Sequence, residues 1–343
     1  MHTIILKNDA VGDLTHSLDA IKNVIECKKN EKVTIFLSKM NKDFSFLFKN
    51  KNVEIKVLNY NLTVSEKIKL IFFLLINRTN KVIILTPKKF YFYLPFFFKR
   101  IKFYALCLDN INNYKRPSKF LRKFLYRYEV NSRDAIFKRP STRFLQSKLT
   151  NETDQKNVFK TNNVLELGKI NDQLPKEYIY FHLKKKIFDG LGWGIDELKI
   201  LLNEFLKYSK NVILTKDIEV DTNTKILKEN FNCYNFLDNS FVYKSSKVFY
   251  LDNVHGADLY NVIINSKKIV AFHGMMTNLA AIEKKPVLDL YYCKIKAWED
   301  YRRYRNSFYE FKPSYIDYDF TIPSNDIKKT IRKMKFSLEK INA

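Results

Sequence analysis

Short apolar runs alternate with amphipathic stretches along most of the 343-residue chain. In the segment Asp13–Cys27, apolar residues recur at steps of three and four, which predicts a helix with one buried face. The runs that predict strands in the first half are Thr3–Leu6, Lys32–Leu37, Val53–Leu58 and Lys81–Leu85. The predicted helices between them are Asp13–Cys27, Asp43–Phe48 and Val64–Leu75. Strands that alternate with helices predict a parallel sheet covered on both faces.

The same alternation restarts after a polar stretch, Gln146–Asn163, that lacks an apolar period. The later predicted strands are Tyr178–His182, Asn211–Thr215, Val248–Leu251 and Lys268–Phe272. The later predicted helices are Asp196–Tyr208, Asp221–Asn230, Gly256–Ile264, Thr277–Glu283 and Ser324–Lys340, the last with Ser324 as its N-cap. We therefore predict an α/β protein with two Rossmann-like domains that face a cleft. Their bounds are 1–148 and 165–322, with a linker at 149–164 and a C-terminal helical segment at 323–343.

One corner of the second half combines a strand, a tight turn and a helix. The strand Lys268–Phe272 runs into His273-Gly274, which is a turn signal, and helical spacing follows at once. In an open parallel sheet, ligands bind outside the carboxyl ends of the strands, where N–H groups at a helix start face an anion. The candidate ligand-binding residues are therefore His273, Gly274, Thr277 and Asn278. The alternative is a plain turn at Gly274, with His273 as a solvated loop residue.

The chain is strongly basic, with 61 Lys and Arg against 36 Asp and Glu and a formal net charge of +25. This charge favours an anionic partner, although the abundance of residues with AT-rich codons accounts for part of it. The excess is concentrated between Lys88 and Arg143, where basic and aromatic residues interleave. Such a mixture suits an anionic membrane surface, and it also suits single-stranded nucleic acid. A third possibility is a buried aromatic helix, Phe90–Phe98, with a solvated cationic rim.

No pattern in the sequence predicts a membrane span, a secretion signal or a metal site. The longest apolar runs, Leu70–Ile76 and Phe90–Phe98, fall short of the roughly 20 residues that a spanning helix needs. The first residues read as a strand at once, so we expect a cytoplasmic protein. The four cysteines lie far apart and the five histidines lack metal-ligand spacing, which favours reduced thiols and no structural zinc.

The first corner of the chain resembles a known family. Residues 4–21 read IILKNDAVGDLTHSLDAI, in which a strand ends in Lys7 and a short loop leads to Gly12, Asp13 and then His16. This arrangement resembles the amino terminus of the lipopolysaccharide heptosyltransferases and their relatives in glycosyltransferase family 9.

The corner at His273 resembles a later motif of the same family. The matching residues are Thr277, Leu279, Ala280, Ala281, Lys285 and Pro286. Asn278 stands where that family usually has a histidine, and His273-Gly274-Met275 stands where Asp-Thr-Gly is usual.

The resemblance implies a GT-B fold and an inverting, metal-independent glycosyltransferase. It implies a nucleotide-sugar donor and a cell-surface glycan or lipopolysaccharide-type acceptor. Asp13 would then be the base that takes the proton of the acceptor hydroxyl, and Lys7 would orient Asp13 or touch a phosphate. Gly12 and His16 belong to the acceptor side, within residues 1–148. Asp13 also suits a second role, as the N-cap of the first helix.

The resemblance assigns the donor to residues 165–322. In the family, a basic residue in the loop after the first strand of this domain binds the donor diphosphate. Its candidates are Lys184, Lys185 and Lys186, and the sequence does not choose between them. The other donor-side candidates are Glu219, near the nucleoside, and His273, Gly274, Thr277 and Asn278. No Asp-x-Asp pair follows a strand, so we expect no metal and no cofactor; lysines and helix dipoles would stabilise the leaving diphosphate.

The leading hypothesis is a peripheral enzyme at the inner membrane face that acts on a saccharide or a lipid-linked acceptor. Its basic aromatic segment would then contact the anionic membrane surface. One alternative is a non-catalytic basic module that binds nucleic acid or membrane, although no RNP-like, zinc-finger or helix-turn-helix pattern supports a nucleic-acid partner. The other is a catalytically degenerate transferase, which the departures at His273 and Asn278 favour. The sugar, the nucleotide and the oligomeric state stay open.

Overall fold

The computed structural model describes residues 2–28, 30–109, 117–132, 142–150, 174–217, 222–254, 256–292 and 318–340. The chain divides into two compact units, Met1–Lys160 and Thr161–Ala343. Most of the predicted linker, the candidate Glu219, and the basic aromatic segment that follows Tyr292 lie outside the described residues.

Six strands in the described part of the first unit form one parallel sheet. They are β1 (His2–Lys7), β2 (Lys32–Ser38), β3 (Val53–Leu58), β4 (Lys81–Ile84), β5 (Lys102–Asp109) and β6 (Arg127–Ser132). Their order across the sheet is β3-β2-β1-β4-β5-β6. The first strand therefore lies in the middle of the sheet. The strands β2 and β3 extend the sheet on one side of β1, and β4, β5 and β6 extend it on the other.

Helices cover both faces of this sheet. They are α1 (Val11–Thr15), α2 (Leu18–Cys27), α3 (Val64–Ile76), α4 (Leu94–Phe97), α5 (Lys119–Arg122) and α6 (Thr142–Thr150), with 3-10 turns at Lys42–Phe48 and Lys89–Phe92. Residues of α3, of the segment 89–97 and of the turn after α5 share one core on one face. On the other face, α2 packs against α6.

The single helix predicted at Asp13–Cys27 is wrong in one respect, because it is two helices that break at His16 and Ser17. The Thr15 hydroxyl donates to the Gly12 carbonyl at 2.6 Å, and the buried Ser17 hydroxyl donates to Gln146 Oε1 on α6 at 2.7 Å. Local and tertiary hydrogen bonds therefore replace the continuous helical ladder. The N-cap of α1 is Ala10, so the alternative role of Asp13 as the cap is also wrong.

The second unit repeats the architecture. Its described strands are β7 (Ile179–Leu183), β8 (Val212–Lys216), β9 (Asn232–Asn235), β10 (Ser240–Val242), β11 (Val248–Asp252), β12 (Lys268–Phe272), β13 (Val287–Leu290) and β14 (Tyr318–Thr321). They pair in the order β10-β9-β11-β8-β7-β12-β13-β14, and only the edge strand β10 is antiparallel among these pairs. The β9–β10 hairpin and β14 were not predicted. The α/β class with two Rossmann-like sheets is confirmed.

Six described helices accompany the second sheet. They are α7 (Lys185–Leu191), α8 (Ile195–Phe205), α9 (Thr222–Asn230), α10 (Gly256–Asn265), α11 (Met275–Ile282) and α12 (Ile327–Lys340). The core on one face is aromatic, with the Trp193 ring 5.4 Å from Phe188 and 6.4 Å from Phe272. Met334 and Leu338 of α12 belong to the same core, so the C-terminal helix packs within the second unit.

The cap of α12 differs from the predicted Ser324. The Asp326 carboxylate accepts hydrogen bonds from the backbone N–H groups of Lys328 at 2.9 Å and Lys329 at 3.2 Å. Ser324 instead accepts from the Asp326 backbone N–H at 3.1 Å. Asp326 therefore satisfies the first free donors of the helix, which is the role of an N-cap.

Replacing Asp326 with alanine should lower the free energy of unfolding by about 1 kcal/mol, because two N–H groups of α12 lose their acceptor. Chemical denaturation of the full chain measures this. Asp196→Ala is the matched control, since it removes an exposed carboxylate from the first turn of α8 without removing a cap. Its cost should be a few tenths of a kcal/mol; equal costs for the two variants would contradict the capping role.

Candidate functional site

Each sheet has a point where the strand order reverses. In the first sheet this point lies between β1 and β4, and in the second it lies between β7 and β12. Loops that leave the carboxyl ends of two such strands run in opposite directions, and this opens a crevice that commonly binds ligands. Both points carry charged side chains.

At the first point, the structure has a cavity of about 370 Å³ within the first unit. Its polar lining residues are Lys7, Asp9, Asp13, His16, Tyr60, Asn61, Thr86, Lys88, Asn131, Thr142 and Gln146. Three of the four sequence candidates on the acceptor side, Lys7, Asp13 and His16, therefore lie around one cavity.

A buried ion pair forms the floor of this cavity. The Lys7 ammonium lies 2.7 Å from Asp9 Oδ2, and the Thr86 hydroxyl donates to the same oxygen at 2.8 Å. The other carboxylate oxygen, Asp9 Oδ1, is buried without a hydrogen-bond partner among the described residues. Lys7, which was expected to orient Asp13 or to touch a phosphate, is thus bonded to Asp9, and one oxygen of Asp9 is left to accept a further hydrogen bond.

The loop that carries Asp9 is fixed by its neighbours. The Ser38 hydroxyl and the Asn41 amide donate to the Asp9 carbonyl at 2.6 and 3.2 Å. The Tyr91 hydroxyl donates to Asn8 Oδ1 at 2.6 Å. These bonds connect the end of β1 to the loops after β2 and β4, so the position of Asp9 is set by three segments of the chain.

Lys88 brings a second cation to the cavity. Its ammonium donates to the carbonyls of Asn8, at 2.9 Å, and of Tyr60, and it lies 4.5 Å from the centre of the Tyr60 ring. Burial lowers the pKa of Lys88 to about 8, although the charges of Asp9 and Glu66 act in the opposite direction. A lysine with such a pKa is partly neutral at mildly alkaline pH.

Asp13 and Gly12 lie on α1, beside the cavity. Asp13 is exposed at the third position of the helix. A Cβ added at Gly12 would meet nothing within 4 Å among the described residues. The first unit itself therefore gives no steric reason for glycine at position 12, and the open space there is available to a ligand.

At the second point, Lys184 reaches from the end of β7 to the turn after β12. Its ammonium donates to the His273 carbonyl. Burial lowers the pKa of Lys184, while the charges of Asp289 and Asp217 act in the opposite direction. A Cβ at Gly274 would collide with the Lys184 ammonium, and Gly274 has a φ of +153°, so both the backbone and the contact require glycine.

His273 is held by its own partners. Its Nδ1 lies 2.6 Å from Asp289 Oδ2, and its ring centre lies 4.5 Å from that of Tyr291. Nearby on β7, His182 Nδ1 lies 2.8 Å from the Thr215 hydroxyl. Burial, reinforced by the charge of Lys184, lowers the pKa of His182 to about 3, so this ring is neutral at physiological pH.

Thr277 and Asn278, expected to face a ligand, are both buried. The Thr277 hydroxyl donates to the Gly274 carbonyl at 2.9 Å and accepts from the Gly274 N–H at 3.1 Å. The structure therefore gives Thr277 the task of holding the turn at the start of α11. The partly exposed residues of the turn are His273, Gly274 and Met275, and the partly exposed side chain of Lys184 lies against it.

The three candidate lysines occupy different environments. The Lys185 ammonium pairs with Asp189 at 2.6 Å, one helical turn away. Lys186 is exposed, and only Lys184 contacts the turn at Gly274. The structure thus separates three residues that the sequence left equivalent.

Sequence reasoning missed several residues that line these two sites. They are Asp9, Thr86, Lys88 and Asn131 at the first and Asp289 at the second. Asp9 and Thr86 had a usable signal, because each is a polar residue just after a predicted strand, and the carboxyl ends of parallel strands meet at one edge. Asn131 and Asp289 had none, since Asn131 lies in β6, a strand that the sequence did not predict, and Asp289 lies within the otherwise apolar strand β13.

Two negative findings concern the described residues only. No group of three or more His, Cys, Asp or Glu side chains there is arranged to hold a metal ion. No helix in that part of the chain is long and apolar enough to cross a membrane.

No protein-family model matches the sequence, and no curated protein matches it. Solved structures do match over the whole chain. The E. coli heptosyltransferase WaaC, in complex with ADP-2-deoxy-2-fluoro heptose, has a TM-score of 0.59 at 14% identity and covers 100% of both chains. A family 9 glycosyl transferase from Veillonella parvula has a TM-score of 0.66 at 9% identity, over 99% of this chain and 97% of that one.

A UDP-GlcNAc 2-epimerase from Methanocaldococcus jannaschii also matches, with a TM-score of 0.55 at 13% identity over 100% of this chain and 94% of that one. Identities this low establish the fold alone. The chain therefore has the two-domain GT-B fold that nucleotide-sugar transferases and epimerases share.

Proposed function

We propose that this protein is an inverting, metal-independent glycosyltransferase that moves a sugar from a nucleotide-sugar donor to a cell-surface glycan or lipopolysaccharide-type acceptor. The observation that carries the proposal is the pairing of two unlike sites on one GT-B chain. The first has carboxylates and lysines around a cavity, and the second has a partly buried lysine at a glycine turn before a helix. An inverting transferase needs one proton acceptor and one site for a diphosphate.

The first cavity suits the acceptor. Asp13, exposed on α1, takes the proton of the acceptor hydroxyl, and the hydroxyl oxygen forms a bond to the anomeric carbon of the donor sugar. Asp9 is less suited to this role, because Oδ2 is occupied by Lys7 and Thr86. Asp9 Oδ1 instead accepts a hydrogen bond from another hydroxyl of the acceptor, and this bond orients the acceptor.

The second site suits the donor. The bond between the anomeric carbon and the diphosphate breaks as the new bond forms, and the departing oxygen gains negative charge. Lys184 supplies a cation next to the first turn of α11, where backbone N–H groups and the helix dipole also favour an anion. The Asp289 carboxylate fixes the His273 ring at the same turn.

The motif of the first corner favours transfer over epimerisation within this fold. Lys7, Gly12, Asp13 and His16 match the family 9 pattern, and three of them line the cavity. The WaaC structure similar to this chain contains an ADP-sugar analogue, which supports a nucleotide-sugar donor here. We further propose that the enzyme is peripheral at the cytoplasmic face of the inner membrane, where a lipid-linked acceptor is available.

The first test is a thermal-shift panel of ADP-, GDP-, UDP- and CMP-sugars on the full chain and on Asp13→Asn. A donor at one hundred times its dissociation constant should add about 2.7 kcal/mol to the stability of both proteins. Only the wild type should then transfer sugar to an acceptor, and EDTA should leave the rate unchanged.

Three results would count against the proposal. If no nucleotide sugar stabilises either protein, the donor site is absent. If Asp13→Asn retains full activity, the base lies elsewhere. If the wild type interconverts two sugar nucleotides without any acceptor, the protein is an epimerase.

Replacing Lys184 with methionine should weaken binding of a nucleoside diphosphate about tenfold or more, because a charge-assisted bond to phosphate is lost. The melting temperature should not fall, since methionine removes a buried charge and keeps most of the side-chain volume. Isothermal titration measures the affinity. Lys186→Met, which removes an exposed charge two residues away, should leave it within about twofold; equal losses in both variants would contradict a specific role of Lys184.

Gly12→Ala should lower the catalytic efficiency for the acceptor without lowering the free energy of unfolding. Alanine suits a helix better than glycine by up to about 1 kcal/mol, and the added methyl group meets no described atom within 4 Å, so stability should not fall. The catalytic efficiency for the acceptor should fall at least tenfold, because the methyl group occupies ligand space. Gly190→Ala is the contrasting control, since its Cβ would lie 2.9 Å from the Tyr292 hydroxyl and should cost stability. Unchanged kinetics of Gly12→Ala would show that the acceptor does not approach α1.

A further inference from the structure

Helix α3 of the first unit is apolar on the side that faces solvent. Leu70 and Leu74 are buried in the core beneath it. With 3.6 residues per turn, the opposite side is an arc of roughly 120°. The apolar residues on that arc, each between 48% and 75% exposed, are Val64, Ile68, Phe72, Leu75 and Ile76. A helix that is apolar all round is expected in a protein core or in contact with lipid, and a helix of the surface needs a covering partner.

The neighbouring segments on the same face of the sheet continue this pattern. Leu94 of α4 and Leu125 after α5 enter the core that holds Leu70 and Leu74. Outward, the exposed rings are Phe96, Phe97 and Phe120. Phe124 connects them, because its ring centre lies 5.2 Å from that of Phe96 and 5.3 Å from that of Phe120. We call the exposed apolar residues of α3, α4 and α5 together the outer apolar surface.

Cations surround the outer apolar surface. Residues 61–126 contain 14 Lys and Arg but only two acidic residues, Glu66 and Asp109. The exposed cations of α3, α4, α5 and their flanking turns are Lys69, Arg78, Lys89, Lys99, Arg100, Lys119 and Lys123. Both acids are engaged within the unit, because Glu66 accepts from the N–H of Thr63 and Asp109 pairs with Arg122. The surface therefore presents apolar groups and positive charge with almost no opposing charge.

We propose that the outer apolar surface is the docking face of this protein on an anionic lipid bilayer. The apolar side chains enter the boundary between headgroups and acyl chains, and the surrounding lysines and arginines bind anionic headgroups. Helix α3, with 13 residues, is shorter than the roughly 20 residues that a helix needs to span a bilayer, so it lies in the interface.

Other occupants fit the surface less well. A symmetric dimer would place this cationic surface against its own copy, and the charges would repel. Single-stranded nucleic acid would find rings at α4 and α5, but it gains nothing from the aliphatic residues of α3. A lipid surface satisfies both the aliphatic stripe and the charge.

This inference deepens the peripheral location proposed above, and it assigns that location to named residues. Its test uses no nucleotide and no acceptor, so docking and transferase activity can fail independently.

The experiment is co-sedimentation of the full chain with vesicles of phosphatidylcholine alone and of phosphatidylcholine with about one-third phosphatidylglycerol. Partitioning should be at least tenfold stronger on the anionic vesicles. The triple variant Ile68→Ser, Phe72→Ser, Phe97→Ser should lose at least tenfold of that binding. The matched control, Leu237→Ser with Phe336→Ser, changes apolar residues of the second unit that are at least as exposed, and it should bind as the wild type does. All replaced side chains are exposed, so melting temperatures should match.

A second measurement separates insertion from adsorption. In the Phe72→Trp variant, fluorescence emission of the introduced indole should shift to shorter wavelength on anionic vesicles and should be quenched by brominated acyl chains. The proposal is overturned if the triple variant binds vesicles like the wild type, or if the emission of the Phe72→Trp variant does not change. It is also overturned if single-stranded DNA at equal phosphate concentration removes the protein from vesicles, or if the triple substitution converts a stable dimer to a monomer.

Discussion

The buried pair of Lys7 and Asp9 is the interaction on which the first site depends. Placing two charges away from water is costly, and it is tolerated only when each is bonded to its partner and to further polar groups. Here the Thr86 hydroxyl adds a bond to the Asp9 carboxylate, and Ser38 and Asn41 bind its carbonyl. The pair therefore ties together the ends of β1, β2 and β4. One carboxylate oxygen of the pair, Asp9 Oδ1, has no hydrogen-bond partner among the described residues, which is why we propose that it accepts a hydrogen bond from a ligand.

At the corresponding point of the second sheet, the strand ends are joined by a single lysine and not by an ion pair. Its strand order reverses between β7 and β12, and the group that bridges this point is the ammonium of Lys184, bonded to a backbone carbonyl. The Asp289 and Asp217 carboxylates also act on this ammonium, so the site combines one lysine with two nearby acidic side chains. Gly274 has a φ of +153°, a backbone conformation that favours glycine, and a Cβ there would displace the Lys184 ammonium. The two points of strand-order reversal thus carry different charged groups, with Lys7, Lys88, Asp9 and Asp13 at the first and Lys184, Asp217 and Asp289 at the second.

The exposed apolar residues of α3, α4 and α5 are not explained by the packing of the first unit. Helices α3, α4 and α5 lie on one face of the sheet, and each has apolar residues on its outer side. Only the apolar residues on the inner side of this layer enter the core. A protein that stays in water gains no stability from Phe72 or Phe97 on its surface, and exposed groups of this kind favour association. Their retention beside a dense set of lysines is consistent with a surface that works at a charged interface.

The sequence by itself determined the class of fold, because strand and helix periods are local properties: the bounds of Val53–Leu58 and Lys268–Phe272 agree with the structure to the residue. It also placed Lys7, Asp13 and His16 near one another, since all three belong to one short corner between the first strand and the first helix. Tertiary structure alone decided the break between α1 and α2, because the Ser17–Gln146 bond joins residues 129 positions apart. It alone bonded Lys184, and neither Lys185 nor Lys186, to the turn at His273, and it alone paired Lys7 with Asp9, because the burial and bonding of a charge depend on segments that are distant along the chain.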